Sequence, residues 1–279
     1  MAVKIVTDST CDFTPRMAQE LGVTVVPLYV VFGDVSYREG IDITAEEFYE
    51  MLVKSRQLPT TSAPSVGDFQ EVYERLLEET DSIVSIHLSG KLSATVRIAQ
   101  AAADSINKPG RIAVVDSESV SLGMGFAIME AAAAARAGAG LEEVRAVAES
   151  VRDRLHVLFM LDTLEYVRRG GRIGRARAYL GTMLRIKPIL AVREGELYPV
   201  ERVRTRVHGV ERIIQSAVRL QNVRLAAVAH STTPDEAELI RERLAMAFPH
   251  AQVFVMRIGP VLGTHGGAGI VGVGVVEGR

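Results

Sequence analysis

Hydrophobic and polar positions in the first half of the chain alternate between two patterns. Short apolar runs rich in β-branched residues predict four strands, at Val3–Thr7, Val23–Phe32, Ile83–Leu88 and Ile112–Val115. Between the runs, apolar residues recur at helical spacing and predict four helices, at Ala45–Arg56, Gly67–Glu79, Ser93–Ile106 and Val120–Ala137. Strands that alternate with helices are typical of a largely parallel sheet covered by helices.

The second half follows a different order. It begins with a predicted strand at His156–Leu161 and a predicted helix at Thr163–Arg169. Two apolar runs, Pro188–Arg193 and Leu197–Arg204, then flank a short glycine-containing turn and predict a hairpin. The remaining elements are predicted as helix Val207–Leu220, strand Arg224–His230, helix Pro234–Phe248, strand Gln252–Ile258 and strand Gly269–Val276. We therefore expect an α/β protein of two domains: residues 1–153 with a largely parallel sheet and residues 154–279 with a mixed sheet.

Composition narrows the class of protein. The 279 residues are 48% hydrophobic with a mean hydropathy of +0.16, which excludes a disordered chain. The longest apolar stretches are shorter than the roughly 18 residues that a membrane-spanning helix needs, and the first residues do not resemble a signal peptide, so we expect no membrane insertion. The net charge of −2 argues against nucleic-acid binding. The single cysteine, Cys11, excludes an internal disulfide framework and favours a cytoplasmic protein.

Small polar residues follow three of the predicted parallel strands. They lie at residues 7–10, 89–93 and 116–119. The carboxyl ends of parallel strands share one edge of the sheet, where ligands bind, although helix caps and turns use the same residue types. Ser93 stands beside a helix start, which favours an anion. A second hydroxyl cluster, residues 60–65, fits either a helix cap with a turn or hydrogen bonding to a small head group.

Several catalytic motifs are absent from the sequence. It contains no P-loop and no G-x-S-x-G elbow, and its six histidines have no metal-ligand spacing, so we expect no metal site. The G-x-G-x-x-G match at residues 267–272 is followed by a predicted strand instead of a helix, which excludes a dinucleotide fingerprint.

A basic run covers residues 166–193 and contains no acidic residue. Its members are Arg168, Arg169, Arg172, Arg175, Arg177, Arg185, Lys187 and Arg193. Such a run forms either a solvated positive face or a docking surface for an acidic partner or a phosphate.

Six segments together resemble the DegV family of FakB-like fatty-acid-binding proteins, nearly from end to end. They are Val6-Thr7-Asp8-Ser9, Thr61-Ser62-Ala63-Pro64-Ser65, Leu92-Ser93-Ala94-Thr95, Val115-Asp116-Ser117, residues 163–173 (TLEYVRRGGRI) and residues 263–269 (GTHGGAG). Four positions depart from the family pattern: Ala63 replaces Gln, Ala94 replaces Gly, and Gly266 and Ala268 replace Thr and Pro. The last two changes put the local geometry beside His265 in question.

The resemblance implies a carrier that is not itself an enzyme. It implies one long-chain fatty acid held between two α/β domains, no cofactor, and a separate fatty acid kinase that converts the bound acid to acyl phosphate for phospholipid synthesis. The residues that match the family's carboxylate-binding motifs are Thr61 and Ser93, with Ser62, Thr95 and His265 beside them. From the basic run we expect Arg168, Arg172 and Arg175 to dock the kinase. The sequence leaves the oligomeric state and the chain-length preference open.

Two other functions fit parts of the same pattern. One is an enzyme that acts on a small anionic metabolite at the edge of the parallel sheet, with Asp8, Asp116 and His265 as acid and base groups. The other is a regulatory module whose ligand signals lipid status through the basic face.

Overall fold

The computed structural model describes residues 3–55, 57–179 and 186–278. The strands of the first half are β1 Lys4–Asp8, β2 Val23–Val26, β3 Tyr29–Phe32, β4 Val35–Arg38, β5 Thr60–Ser62, β6 Ile83–His87 and β7 Ile112–Asp116. Its helices are α1 Pro15–Leu21, α2 Ala45–Lys54, α3 Val66–Glu79, α4 Thr95–Ser105, α5 Leu122–Arg136 and α6 Leu141–Ser150. In the second half the strands are β8 Leu155–Met160, β9 Lys187–Arg193, β10 Glu196–Val203, β11 Val223–His230, β12 Gln252–Arg257 and β13 Val271–Glu277. The helices there are α7 Glu165–Arg169, α8 Arg206–Ala217, α9 Pro234–Ala247 and α10 Pro260–Gly266.

The first sheet is parallel throughout, which confirms the predicted largely parallel sheet, and its strands lie in the order β2-β1-β6-β7. Its strands are short and apolar, and β6 is buried along its whole length because helices cover both faces. His87 pairs with Asp116 across β6 and β7, so the polar ends of these strands do lie at one edge.

The prediction of one strand at Val23–Phe32 is wrong. The strand β2 ends at Val26, and β3 joins a separate antiparallel sheet in the order β4-β3-β5. Pro27 has no N–H to continue the ladder, and the N–H of Leu28 donates to Ser9 Oγ at 2.9 Å, which turns the chain away. Part of the hydroxyl cluster, Thr60–Ser62, is also a strand and not a turn.

The second sheet is mixed, in the order β10-β9-β8-β13-β11-β12, and confirms the predicted class. Only β11 and β12 pair in parallel; the other described neighbours are antiparallel. The predicted hairpin is confirmed as β9 and β10. Its two-residue turn places Glu194 at φ 50° and Gly195 at φ 76°, the two positive values that a type I′ turn requires.

Helix α5 lies between the two large sheets and is buried on nearly every side. A Cβ at Gly274 on β13 would lie 2.9 Å from Phe126 and 3.0 Å from Leu122, so helix and sheet approach closely. One hydrophobic cluster contains Val84 from the first sheet, α5 residues and Val276 from the second sheet. The hydrophobic core is therefore continuous across residues 153 and 154. The division of the chain into two domains at this point stays a prediction.

Three helices have no counterpart in the sequence prediction, namely α1, α6 and α10. Within the described ranges, no helix is both long and apolar enough to cross a bilayer.

Candidate functional site

A cavity that is partly open to solvent lies between elements of the two halves. Its wall is mainly aliphatic and aromatic. The first half contributes residues such as Leu88, Leu92 and Leu122, and the second half contributes Phe159 and Ile258. The polar side chains that line it are Thr61, Ser93, Ser121, Arg172 and His265. We name this cavity the main cavity.

Four of these side chains form one group, which we call the polar end: Thr61, Ser93, Arg172 and His265. Thr61 Oγ1 and His265 Nε2 are 2.9 Å apart. Arg172 Nε donates to the carbonyl of Leu92, next to Ser93, at 3.1 Å, and Arg172 Nη1 donates to the carbonyl of Gly170 at 2.7 Å. A Cβ at Gly170 would overlap His265 Nδ1, which places Gly170 directly against the ring. The contacts thus join Thr61 to His265 directly, and they hold Arg172 on the backbone beside Ser93 and beside the His265 ring.

Three of these four side chains come from three separate elements. Thr61 lies on β5, where it pairs with Val30 of β3. Ser93 precedes α4, and its hydroxyl accepts from the N–H of Thr95 at 3.3 Å. His265 lies in the last turn of α10, which packs closely on α2 because Gly263 has no side chain: a Cβ there would lie 2.6 Å from Phe48 and Tyr49.

His265 is a neutral ring at neutral pH. Burial, with the positive charge of Arg172, lowers the pKa of His265 to about 4. When the single ring proton is on Nε2, that nitrogen donates to Thr61 Oγ1 and leaves the Thr61 hydroxyl hydrogen for another acceptor. His265 Nδ1 is buried without a hydrogen-bond partner in the described part of the chain. The arrangement therefore suits a hydroxyl that donates to an anionic ligand.

Two of the predicted site residues are near the polar end but do not line the main cavity. Thr95 is fully buried, and its Oγ1 lies 2.9 Å from Ser93 Oγ, so it can orient the Ser93 hydroxyl. Ser62 is exposed and donates to the carbonyl of Ala63 at 3.2 Å.

The three arginines expected to dock a partner differ in their surroundings. Arg168 pairs with Glu165 at 2.9 Å, and Arg175 lies 3.6 Å from Glu194. Acidic residues just outside the basic run thus accompany both. Arg172 is exposed but also lines the main cavity beside the polar end. Arg185 of the basic run lies outside the described residues.

A buried carboxyl pair, Asp12 and Glu39, adjoins the main cavity through Ser121, which donates to Asp12. Asp12 Oδ1 accepts from the N–H of Gly259 at 2.9 Å, and Glu39 Oε1 accepts from the N–H of Val261 at 2.8 Å. Burial, with the charge of Glu39, raises the pKa of Asp12, and burial raises the pKa of Glu39 to about 7.

Sequence reasoning misses this pair. Its members are far apart along the chain, and each has the appearance of an ordinary loop carboxylate, so no local spacing could reveal it.

The acid and base groups of the alternative enzyme are not brought together. Asp8 Oδ2 contacts His87 Nδ1 at 2.9 Å and accepts from the N–H of Leu88 at 3.1 Å, inside the parallel sheet. Asp116 Oδ2 accepts from the N–H of Gly90 at 3.0 Å. Of Asp8, Asp116 and His265, only His265 lines the main cavity. Among the residues with described structure, no cluster of three or more potential metal ligands occurs.

Comparison with known proteins gives consistent matches over almost the whole chain. The model of the DegV family matches residues 2–278. A DegV domain-containing protein of Halalkalibacterium halodurans is 37% identical over 275 residues, which are 97% of this chain and 96% of that protein.

Two solved structures are similar in both sequence and fold. A fatty-acid-binding DegV family protein from Thermus thermophilus is 38% identical, with a TM-score of 0.93 and coverage of 99% of this chain and 100% of that one. DegV from Bacillus subtilis, described as a fatty acid binding protein, is 34% identical, with a TM-score of 0.90 and the same coverage.

Proposed function

This chain belongs to the DegV family, and on that premise we propose that it binds one long-chain fatty acid in the main cavity with the carboxylate at the polar end. The observation that carries the proposal is the distribution of polarity along the wall, where hydroxyl, imidazole and guanidinium groups meet at the polar end and most other lining side chains are apolar. The Thermus thermophilus and Bacillus subtilis proteins, described as binding fatty acids, support the same class of ligand.

The tail supplies most of the affinity. At about 0.8 kcal/mol per buried methylene, a sixteen-carbon acid gains roughly 11 kcal/mol from burial of its chain. Association costs about 4–15 kcal/mol and the tail also loses flexibility, so the net affinity is much smaller than the burial term. A cavity with aliphatic walls suits such a ligand because it offers the chain contacts without polar groups to desolvate.

The polar end fixes the position of the carboxylate. The hydroxyls of Thr61 and Ser93 donate to its oxygens, and each such bond to a charged group contributes about 1.5–3 kcal/mol. His265, donating from Nε2, holds Thr61 in the required orientation, and Thr95 does the same for Ser93. Arg172 supplies positive charge while two of its nitrogens bond backbone carbonyls.

This head-group arrangement suits a carrier whose ligand reacts while bound. Hydroxyl donors leave a carboxylate oxygen accessible to attack the terminal phosphorus of ATP held by a separate fatty acid kinase, which would form acyl phosphate and release ADP. A bidentate arginine clamp on both oxygens would block that attack. In this proposal the chain positions the nucleophile and the kinase supplies the catalytic groups.

In this proposal the exposed side chains of Arg168, Arg172 and Arg175 provide the docking face for that kinase. Arg172 links this face to the bound head group, and Arg168 and Arg175 flank it in sequence. Charge reversal at Arg168 or Arg175 should weaken docking more at low than at high ionic strength, because salt screens exposed charges. Docking that is unchanged at either ionic strength would remove this surface from the proposal.

Substitution of both hydroxyl residues tests the function. The variant Thr61→Ala/Ser93→Ala should weaken palmitate binding by about a hundredfold or more, because two hydrogen bonds to the carboxylate are lost, and should lose most acyl phosphate formation with a fatty acid kinase and ATP even when it is saturated with palmitate. Ser62→Ala is the matched control, since Ser62 lies outside the cavity wall. Full phosphotransfer in the double variant would contradict the assigned head-group site.

A further inference from the structure

Helix α7 contacts the end of α10 through the side chain of Tyr166. A Cβ at Gly267, the residue that caps the C-terminus of α10, would overlap two ring carbons of Tyr166 and lie 3.0 Å from a third. The ring therefore occupies the space that a side chain at Gly267 would need. Gly267 also has a φ of 79°, which favours glycine, and its N–H donates to the carbonyl of Gly263 at 2.7 Å. Tyr166 thus packs directly on the turn that follows His265.

The main chain of Tyr166 reaches His265 by a second route. The carbonyl of Tyr166 accepts from the N–H of Gly170 at 2.9 Å. Gly170 in turn lies against the imidazole, because a Cβ there would overlap His265 Nδ1. One residue of α7 therefore supports the last turn of α10 at two points, with its ring at Gly267 and with its carbonyl through Gly170.

Packing fixes the edge of the His265 ring that faces away from Thr61. A histidine in a binding site is ordinarily oriented by a hydrogen bond to the ring nitrogen that does not face the site. Here Nε2 lies 2.9 Å from Thr61 Oγ1, whereas the buried Nδ1 makes no hydrogen bond within the described chain. The residue against Nδ1 is Gly170, which is bonded to Tyr166. The orientation of the imidazole therefore depends on how α7 packs against α10.

Tyr166 lies outside the cavity wall. It is not among the described side chains that line the main cavity, although its neighbour Val167 is. The side chain of Tyr166 is half-buried and packs against the hydrophobic cluster that includes Phe48 of α2 and Val261 of α10. Its effect on a bound carboxylate must therefore pass through the position of α10 and of His265.

We propose that Tyr166 is a positioning residue of the carboxylate site, which holds the His265 imidazole in hydrogen-bonding geometry with the Thr61 hydroxyl. The inference rests on the proposed function, because it concerns a group at the polar end. Hydrogen bonds weaken steeply as their angle departs from linearity, so a rotation of an unsupported ring would release the Thr61 hydroxyl. The hydroxyl would then no longer be directed at the carboxylate, whereas the apolar path of the tail would stay as it is.

Removal of the aromatic ring tests the proposal, and Tyr166→Phe is the matched control because it keeps the ring and loses only the hydroxyl. Competition binding would measure the affinities for palmitate and for hexadecanol, which lacks the carboxylate. Tyr166→Ala should weaken palmitate binding by about tenfold, the size of one hydrogen bond to a charged group, and leave hexadecanol binding within about threefold of wild type. Tyr166→Phe should leave both affinities within about twofold of wild type.

The titration of His265, followed by NMR of its ring, gives a readout that a general loss of stability would not move. Burial, with the positive charge of Arg172, lowers the pKa of His265 to about 4. This pKa should stay near 4 in Tyr166→Phe and rise toward 6.5 in Tyr166→Ala, because an unsupported ring gains access to water.

A third variant, Tyr166→Leu, keeps the test independent of the folding of the alanine variant. Leucine retains an apolar side chain against the cluster around Phe48, but a branched chain cannot lie flat on Gly267, so the same selective loss of palmitate binding is expected. Equal losses for palmitate and hexadecanol in the alanine and leucine variants, or a His265 pKa that stays near 4 in both, would overturn the proposal. Unchanged palmitate binding in both variants would overturn it too, without affecting the proposed function. Failure of the wild type to bind either ligand would instead contradict the proposed function.

Discussion

At the scale of single residues, the close contact between Gly170 and His265 controls the polar end. Gly170 has an ordinary φ of −70°, so its backbone accepts any residue. What excludes a side chain is the His265 ring, whose Nδ1 occupies the space of a Cβ. The glycine is therefore required for the position of the imidazole and not for the conformation of the chain.

Gly170→Ala should displace His265 and weaken carboxylate recognition. We expect about a tenfold loss of palmitate affinity, the size of one hydrogen bond to a charged group, and a much smaller loss for hexadecanol, which lacks the carboxylate. Competition binding with both ligands measures the difference. Gly140→Ala is the control because a Cβ there meets nothing within 4 Å. Equal losses for the acid and the alcohol would show that Gly170 shapes the tail path instead.

At the scale of elements, the sequence predicts those parts of the fold that local patterns encode. The strands of the parallel sheet appear as isolated apolar runs, and the β9–β10 hairpin appears as two runs around a two-residue turn with glycine. The three-stranded sheet could not be predicted, because β4 and β5 are short and their pairing with β3 depends on tertiary contacts.

The candidate site divides in the same way. Thr61 and Ser93 lie in local motifs and could be selected from the sequence. The contact of Thr61 with His265 joins positions 204 residues apart, and it exists only because α10 packs on α2. The carboxyl pair Asp12 and Glu39 has no local signature at all.

Helix α5 joins the two large sheets, and its packing can be tested at Phe126. This side chain is 1% exposed and its ring lies 6.2 Å from that of Phe254 on β12, edge to face. Phe126→Ala should lower the free energy of unfolding by about 3–5 kcal/mol, because it leaves a cavity between helix and sheet. Denaturant titration measures the loss. Val207→Ala, at an 81% exposed position, should change stability by less than about 0.5 kcal/mol, and a similar small effect at Phe126 would contradict the role of α5.

At the scale of the whole molecule, the Asp12 and Glu39 pair connects the first half of the chain to the start of α10. Its hydrogen bonds to Gly259 and Val261 hold the helix that carries His265. The charge of Asp8 also raises the pKa of both carboxyls, and burial, with the charges of the pair, in turn raises the pKa of Cys11 and of Tyr49. This buried acidic group therefore couples the pH to the contact between the halves.

The sign of the pH effect follows from the raised pKa of Glu39. A carboxyl whose pKa rises from 4.5 in the unfolded chain to about 7 in the folded one binds its proton more tightly when folded. The stability from this group is fully present below pH 4.5 and is lost as the pH rises through about 7. The loss is on the order of 3 kcal/mol.

Glu39→Gln should remove this dependence. Relative to wild type, the variant should gain stability as the pH rises from about 4.5 to 7, measured by denaturant unfolding across that range. His265, whose pKa is lowered to about 4, acts in the opposite direction but is present in both proteins, so the difference between them reports Glu39 together with its effect on the pKa of Asp12. Asp34→Asn, at an exposed turn, should leave the pH profile unchanged. Parallel profiles for Glu39→Gln and wild type would contradict a protonated Glu39.

The surplus of hydrophobic residues, 48% of the chain, has two uses in this account: the core around α5 and the wall of the main cavity. Mass spectrometry of lipid extracted from the denatured, purified protein distinguishes a ligand cavity from an empty void most directly. We predict about one long-chain fatty acid per chain, or stoichiometric binding of palmitate added after delipidation. Absence of any fatty acid from the purified protein, together with no binding of added palmitate, would contradict the central claim.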